Sequence, residues 1–110
     1  MAAAKPVVPS RQALLDIDEA AAYYLAEAGV ALALRFAGAL ETVLGVIGRQ
    51  PGIGSPRIAH EVRLPGLRSW PLTGFPHLLL YLEHEDAIDV VRVLHGSRDL
   101  ALWLTDPEAD

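Results

Sequence analysis

The chain has no cysteine, a single lysine, few aromatic residues and no long apolar run. The absence of cysteine from all 110 residues excludes disulfide bridges, thiol nucleophiles and thiolate metal ligands. It is compatible with a reducing compartment, and we expect a cytoplasmic protein. No segment approaches the roughly 20 consecutive apolar residues that a membrane helix needs. Residues 1–6 also lack the apolar stretch of a secretory signal, so we expect no membrane association.

Composition and length predict one folded domain. A chain of 110 residues suits a single modest core, which we place at about residues 5–104 of a domain spanning 1–110. The fractions of hydrophobic residues, 52%, and charged residues, 21%, are those of globular rather than disordered proteins. The formal net charge of −5 argues against broad attraction to a phosphate backbone. We therefore expect no direct nucleic-acid binding.

The first half of the chain has the pattern of a short strand followed by two helices. Val7 and Val8 are apolar and β-branched, and Pro9, which has no N–H, confines such a strand to a sheet edge. Ser10 is a natural helix N-cap. Apolar residues then follow helical spacing from about residue 13 to 28 and from about 33 to 48. Gly29 lies between the two segments as a helix end, so we predict an αα-hairpin.

The second half predicts a sheet. Turn residues at 51–56 end the second helix. Strands are predicted at 67–72, 77–83 and 87–94, joined by short turns. A short helix at 99–104 and an acidic tail at 105–110 follow. The predicted fold class is α+β: an N-terminal strand and an αα-hairpin packed on an antiparallel sheet of three to four strands, with a short C-terminal helix.

One predicted strand is apolar on both faces. The run Leu78–Leu82 has no polar alternation, although a strand with one face in water should alternate. Something should therefore cover its second face. The terminal helix, through Trp103 and Leu104, and a partner polypeptide explain this pattern equally well.

No complete catalytic or cofactor motif is present. The histidines at positions 60, 77, 84 and 95 lack metal-binding spacing. Gly52-Ile-Gly54 lacks the strand and helix that flank a phosphate-binding loop, and no serine lies in a nucleophile elbow. We therefore predict no metal site, no cofactor and no serine hydrolase.

Charged residues near the predicted strand ends form the remaining candidate site: Arg63, Arg68, Arg92, His95, Arg98 and Asp99. A metal-free ribonuclease could use Arg68 and Arg92 to stabilise phosphorane charge and His95 to move protons. However, Arg92 and His95 point to opposite faces of a regular strand unless the strand bulges. We therefore favour a backbone hydrogen bond for His95 and a helix-starting role for Asp99. For the two arginines we favour recognition or ion pairing.

Trp70 shares a strand face with Arg68 and Leu72. On a covered face Trp70 would be core, whereas on an open face it would be an interface anchor, since Trp and Arg dominate binding hot spots. The sequence leaves this choice open. The partner-binding candidates are Arg63, Arg68, Trp70, Leu78, Leu80, Arg92, Arg98 and Trp103.

Several segments, taken in order, resemble one protein family. They are Val7–Ile17, Arg35-Phe36, Leu40-Glu41, Pro51–Arg57, Leu67-Arg-Ser-Trp-Pro-Leu72, Leu80-Tyr81 and Val91-Arg-Val-Leu-His-Gly-Ser-Arg-Asp-Leu100. Over about residues 5–104 the chain resembles the ParE branch of the RelE/ParE toxin superfamily. The segments that begin at Leu67 and Val91 carry most of the specificity.

The resemblance implies a toxin of a bacterial type II toxin–antitoxin system, wrapped and neutralised by a ParD-like antitoxin. It further implies a non-enzymatic inhibitor of DNA gyrase that blocks replication. RelE-like relatives instead cleave ribosome-bound mRNA, usually with a C-terminal tyrosine. The tyrosines here, at positions 23, 24 and 81, lie far from the end of the chain. A ribosome-dependent mRNA endonuclease using Arg68, Arg92 and His95 is therefore the alternative. The acidic tail departs from the ParE pattern, in which the terminal region is associated with gyrase action.

Overall fold

The computed structural model describes residues 4–105, which form a four-stranded sheet between a helical hairpin and two short helices. The elements in chain order are β1 Val7–Pro9, α1 Arg11–Ala28, α2 Val30–Arg49, a 3-10 turn Pro51–Ile53, α3 Arg57–Val62, β2 Arg68–Pro71, β3 His77–Glu83, β4 Ile88–His95 and α4 Asp99–Thr105. This architecture confirms the predicted α+β class. The predicted tail beyond Thr105 lies outside the described residues.

The sheet has the strand order β1-β4-β3-β2. β2, β3 and β4 are antiparallel neighbours, as predicted. β1 lies at an edge, where Pro9 requires it to be. β1 pairs in parallel with β4, however, with Val7 opposite Ile88, so the sheet is mixed rather than purely antiparallel. The long chain segment between β1 and β4 permits this parallel pairing.

The outer edge of β2 is closed by the chain itself. Ser55 and Ser69 exchange two backbone hydrogen bonds of 2.9 Å each. Pro71, at the end of the same strand, has no N–H to offer. The hydrogen-bonding groups of this edge are therefore largely occupied or missing.

Ser10 and Gly29 set the limits of α1, as predicted. The Ser10 hydroxyl accepts the N–H of Ala13 at 3.0 Å and donates to the carbonyl of Val91 at 2.9 Å. The cap residue thus also attaches α1 to β4. Gly29 has a φ of 86°, a conformation that favours glycine. This single residue separates the two helices of the hairpin.

Both faces of the sheet carry buried side chains. Under the α1–α2 hairpin lies the larger core, whose buried members are Ala13, Phe36, Leu40, Val43, Ile47, Leu72, Leu79, Tyr81, Ile88, Val90 and Val93. The opposite face buries Ile58, Leu67, Leu80 and Leu94. Trp103 and Leu104 of α4 pack against that second cluster, so the terminal helix provides part of the cover that the apolar β3 needs. α3, which no predicted element anticipates, provides another part through Ala59 and Val62.

α2 is long and apolar enough to cross a membrane by length and composition alone. This finding corrects the expectation that no segment approaches that limit. The most apolar part of its 20 residues has a mean hydropathy of 1.8. A single such helix is weak evidence for a membrane span, because core helices of soluble proteins pass the same test. One stripe of α2, formed by Phe36, Leu40, Val43 and Ile47, packs in the core.

The loop after α2 is fixed to the sheet by Tyr81 and Arg68. The Tyr81 hydroxyl accepts the N–H of Gly54 at 2.9 Å and donates to the carbonyl of Pro51 at 2.7 Å. Arg68 Nη1 donates to the carbonyl of Gly54 at 2.7 Å. A Cβ at position 54 would lie 2.5 Å from the Tyr81 hydroxyl and 2.9 Å from the Ser69 carbonyl. Only glycine therefore fits at this point.

We predict that Gly54→Ala lowers the free energy of unfolding by about 1–3 kcal/mol, because the added methyl group must displace Tyr81 or the β2 backbone. Gly52→Ala is the matched control, since a Cβ at Gly52 meets nothing within 4 Å. The control should be neutral or slightly stabilising. Urea denaturation of both variants measures the difference, and equal stabilities would contradict the close packing of Gly54 on Tyr81.

Candidate functional site

Arg92 is held by Asp16 of α1. Arg92 Nε and Nη2 donate to the Asp16 carboxylate at 2.8 and 2.9 Å, and the backbone N–H of Val93 donates to the same group at 2.9 Å. Both side chains of the pair are largely buried, with 18% and 13% of their surface exposed. The hydrogen bond to Asp16 raises the pKa of Arg92 above its ordinary value. Arg92 is therefore an ion-paired residue that fixes α1 to β4.

A bulge in β4 does not bring Arg92 and His95 together. Leu80 lies opposite Arg92, and the next pair is Tyr81 with Val90, so Val91 is the extra residue. The irregularity precedes both Arg92 and His95. Beyond it, the two residues occupy regular positions three apart, and His95 lies opposite His77.

The three residues of the ribonuclease hypothesis are engaged separately. Arg68 donates to the carbonyl of Gly54, Arg92 pairs with Asp16, and His95 bonds to the turn after β4. Among the described residues, these three side chains do not converge on a common point. In the described part of the chain, Arg68, Arg92 and His95 do not together form the combined phosphate-binding and proton-transfer site that the hypothesis requires.

His95 and Asp99 organise the turn between β4 and α4, as predicted. His95 Nδ1 accepts the backbone N–H of Arg98 at 3.2 Å and contacts the Ser97 hydroxyl at 3.3 Å. The backbone N–H of His95 donates to the Asp99 carboxylate at 3.3 Å, and Arg98 Nε donates to it at 3.2 Å. Burial alone would raise the pKa of Asp99, but the hydrogen bonds from Arg98 and His95 outweigh it and lower the pKa.

A polar cleft of about 530 Å³ lies between α1 and the ends of β3 and β4. We call it the histidine cleft; its lining residues include Asp16, Glu19, Tyr23, Tyr24, His77, His95, Arg98 and Asp99. The rings of His77 and His95 stand edge to face with their centroids 5.7 Å apart. His77 is 7% exposed, and within the described residues its enclosed Nδ1 has no hydrogen-bond partner. Burial, and next the charge that His95 can carry, lower the pKa of His77.

The histidine cleft was not foreseen as a unit because its members come from four separate elements. The sequence singled out His95, Arg98 and Asp99, but not Tyr24 or His77. A signal did exist, since the antiparallel pairing of β3 and β4 places the two histidines opposite each other. In the described part of the chain, no three His, Asp or Glu side chains are grouped so as to hold a metal ion.

An apolar groove of about 510 Å³ lies on the opposite side of the sheet, beside α3 and α4. We call it the α3–α4 groove. Its apolar lining residues are Ile53, Ile58, Trp70, Pro71, Leu78, Leu100 and Leu104. Arg57 and Glu61 add one charge of each sign. The groove can take an apolar side chain or a short helical segment of another protein.

The partner-binding candidates occupy different environments. Trp70 and Leu78 are half-buried and line the α3–α4 groove, although Trp70 also packs against the hairpin-side core. Trp103 is half-buried and packs against the cluster that contains Leu80, on the face of the sheet away from the hairpin. Leu80 is 0% exposed, so in this conformation its side chain belongs to the core and cannot meet a partner.

The arginine candidates differ in the same way. Arg63 is exposed in the left-handed conformation, with a φ of 55°, where it ends α3. Arg98 is also exposed. Arg68 and Arg92 are half-buried and hydrogen-bonded within the chain. Arg63 and Arg98 are therefore the two exposed arginine candidates, although Arg98 is paired with Asp99.

We predict that Asp16→Ala lowers the free energy of unfolding by about 2–4 kcal/mol, because it leaves the guanidinium of Arg92 and the N–H of Val93 without their acceptor. Asp18→Ala, at an exposed position of the same helix, should change stability by less than about 0.5 kcal/mol. Chemical denaturation of both variants tests this. In a double-mutant cycle with Arg92→Met, additive losses would disprove the coupling.

We further predict that His77 makes folding stability fall as the pH is lowered from about 7 to 5. The unfolded imidazole takes up a proton near its ordinary pKa of about 6.5, whereas the folded pKa is lower. The unfolded state therefore binds more protons in this range, and the free energy of unfolding decreases with falling pH. His95, Asp99, Arg98 and Asp16 are the ionisable groups that act on His77.

The variant that tests this prediction is His77→Phe, which keeps an aromatic ring beside Tyr24 and Phe36. Its free energy of unfolding should depend less on pH across this interval. Denaturation curves at several pH values provide the measurement. Parallel pH profiles for the two proteins would show that His77 does not cause the effect.

Comparison with known proteins places this fold in a family. A family model described as "ParE toxin of type II toxin-antitoxin system, parDE" matches residues 7–100. Among solved structures, the chain is similar to one titled "Chromosomal ParDE TA system from P. aeruginosa", with a TM-score of 0.70 and 19% sequence identity, covering 83% of this chain and 95% of that chain. The search of curated proteins gave no match.

The two positive findings agree with the architecture. The solved structure, at its low identity, supports the fold alone, whereas the family model extends from β1 into α4. The chain therefore belongs to the ParE toxin family of parDE type II toxin–antitoxin systems.

Proposed function

We propose that this ParE-family toxin inhibits DNA gyrase and blocks replication, and that a ParD-like antitoxin neutralises it. Membership of the family over residues 7–100 carries the proposal. In this proposal DNA gyrase and the antitoxin are both cytoplasmic, so the toxin also acts in the cytoplasm.

The toxin acts as a binding protein rather than as an enzyme. Arg92 is committed to Asp16, and His95 to the turn before α4. A general acid or base must lie within hydrogen-bonding reach of the group that it serves. Residues that stabilise the fold at separate places are poorly arranged for that task.

The α3–α4 groove is the proposed binding site of the antitoxin. It adjoins the half-buried side chains of Leu78 and Trp70, and Ile53 at its border is 37% exposed. Amphipathic segments bind apolar grooves of this kind through spaced apolar anchors. The charges of Arg57 and Glu61 can fix the orientation of such a segment at the rim.

A gyrase assay tests the target. The purified chain should inhibit supercoiling of relaxed plasmid and accumulate cleaved DNA–gyrase complexes, and saturating antitoxin should remove both effects. Absence of both effects would end the gyrase assignment. Codon-specific mRNA cuts in toeprinting on translating ribosomes, lost in a folded Arg92→Met variant, would establish the endonuclease alternative.

A second experiment tests whether the antitoxin binds in the α3–α4 groove. Ile53→Asp places a charge at the border of the α3–α4 groove and should weaken antitoxin binding by roughly tenfold or more, because the carboxylate must be desolvated against apolar side chains. Leu14→Asp, at a position on α1 that is 50% exposed, is the matched control and should bind as the unmodified chain does. Isothermal titration calorimetry measures both affinities. Equal affinities would remove the groove from the interface.

A further inference from the structure

The end of the helical hairpin around Gly29 carries few charges. Residues 22–38 cover the end of α1, the Gly29 turn and the first half of α2, and their charged members are Glu27 and Arg35 alone. Large apolar side chains in this segment are well exposed: Tyr23 59%, Leu25 50%, Val30 62% and Leu34 66%. A surface designed for solubility carries about 25–35% charged residues, whereas two of the 17 residues in this segment are charged. An exposed surface this poor in charge marks an interaction site.

We define the outer patch as the exposed residues Ala22, Leu25, Ala26, Glu27, Val30, Ala31, Leu34, Arg35, Ala37 and Gly38. Several members are neighbours in sequence, but on each helix some lie four positions apart: Ala22 and Ala26 on α1, and Val30, Leu34 and Gly38 on α2. This is the spacing of a helix-packing seam. The small residues between the large ones let a second helix approach closely.

Within residues 4–105, no side-chain packing requires a glycine at position 38, although its carbonyl accepts the Thr42 hydroxyl at 3.0 Å. It lies inside α2, where glycine is less favourable than alanine. A Cβ at this position would meet nothing within 4 Å, and Gly38 does not have a positive φ. Neither backbone conformation nor internal crowding therefore requires glycine. Glycine would be required at position 38 if a helix of another molecule packed closely against it.

The two charges of the outer patch are complementary to each other. Within residues 4–105, neither the Glu27 carboxylate nor the Arg35 guanidinium takes part in a hydrogen bond or an ion pair. A two-fold axis through an interface brings the same surface of two copies together, so that residue i of one copy meets residue j of the other and the reverse. One acid and one base on an otherwise uncharged patch suit such an arrangement.

We propose that two copies of this chain associate through the outer patch about a two-fold axis, with Glu27 of each copy facing Arg35 of the other. The patch forms the apolar centre of the interface, and the two ion pairs lie at its border. A standard interface takes roughly 800 Å² from each partner, which is about a ninth of the 6951 Å² surface of the chain. An interface built on two helix ends is smaller than most obligate ones, so we expect a dissociation constant on the order of micromolar.

Sedimentation velocity of the purified chain, from about 1 to 100 µM across this dissociation constant, should record a shift from monomer to dimer. Glu27→Arg and Arg35→Glu should each weaken the dimer roughly tenfold, because each replaces two attractive contacts by two repulsive ones. An equimolar mixture of the two variants should regain dimer, since every contact across the mixed pair is again attractive. This recovery distinguishes pairing between copies from an effect within one chain.

The matched controls are Glu85→Arg and Arg11→Glu, which make the same charge changes at exposed positions outside the patch. They should leave the association unchanged, alone and mixed. Gly38→Ala should raise the melting temperature of the chain yet weaken the dimer, since the methyl group enters the close approach. Circular dichroism verifies that each variant is folded.

Three results would overturn the proposal. They are a monomer at every concentration, failure of the mixed variants to recover association, and an unchanged dimer in Gly38→Ala. A monomer would assign the outer patch to another protein, such as the antitoxin. These outcomes are independent of the gyrase assay, because association of the purified chain is measured without gyrase.

Discussion

The apolar character of β3 on both of its faces is the constraint on which the structure depends. A strand of this kind needs cover on two sides, and a chain of 110 residues has few elements with which to supply it. The long hairpin covers one face. The other face is left to α3 and α4, two helices of six and seven residues. Because α3 and α4 are short, they leave the α3–α4 groove open. The hairpin is long enough to cover its face of the sheet, and the side of the hairpin that faces away from the sheet forms a further surface.

The αα-hairpin and the antiparallel strands β2, β3 and β4 could be predicted because the sequence signals for them are local. Ser10, Gly29 and the spacing of apolar residues determine the helices, and short turns determine antiparallel neighbours. The parallel position of β1 could not be predicted in the same way, because its partner is about 80 residues distant. α3 escaped prediction because six residues after a proline-rich loop give too little periodicity to recognise a helix.

The candidate site was predicted less well than the fold. The structural roles of His95 and Asp99 follow from their place at the end of a strand and the start of a helix, which is local information. The partner of Arg92 is Asp16, 76 residues earlier, and no sequence spacing indicates such a pair. Leu80 and Leu78 look alike in the sequence, yet one is enclosed and the other lines a groove. Only the packing of α3 and α4 separates them.

The bridge between Ser55 and Ser69 has a consequence for the protein when it is free of any antitoxin. An open strand at the border of a sheet is a template on which further copies can add, and fibrils grow from such templates. Here the bridge occupies both backbone groups of Ser69, and Pro71 removes a donor nearby. The loop of the chain itself therefore leaves few backbone groups at this border onto which a strand of another copy could add.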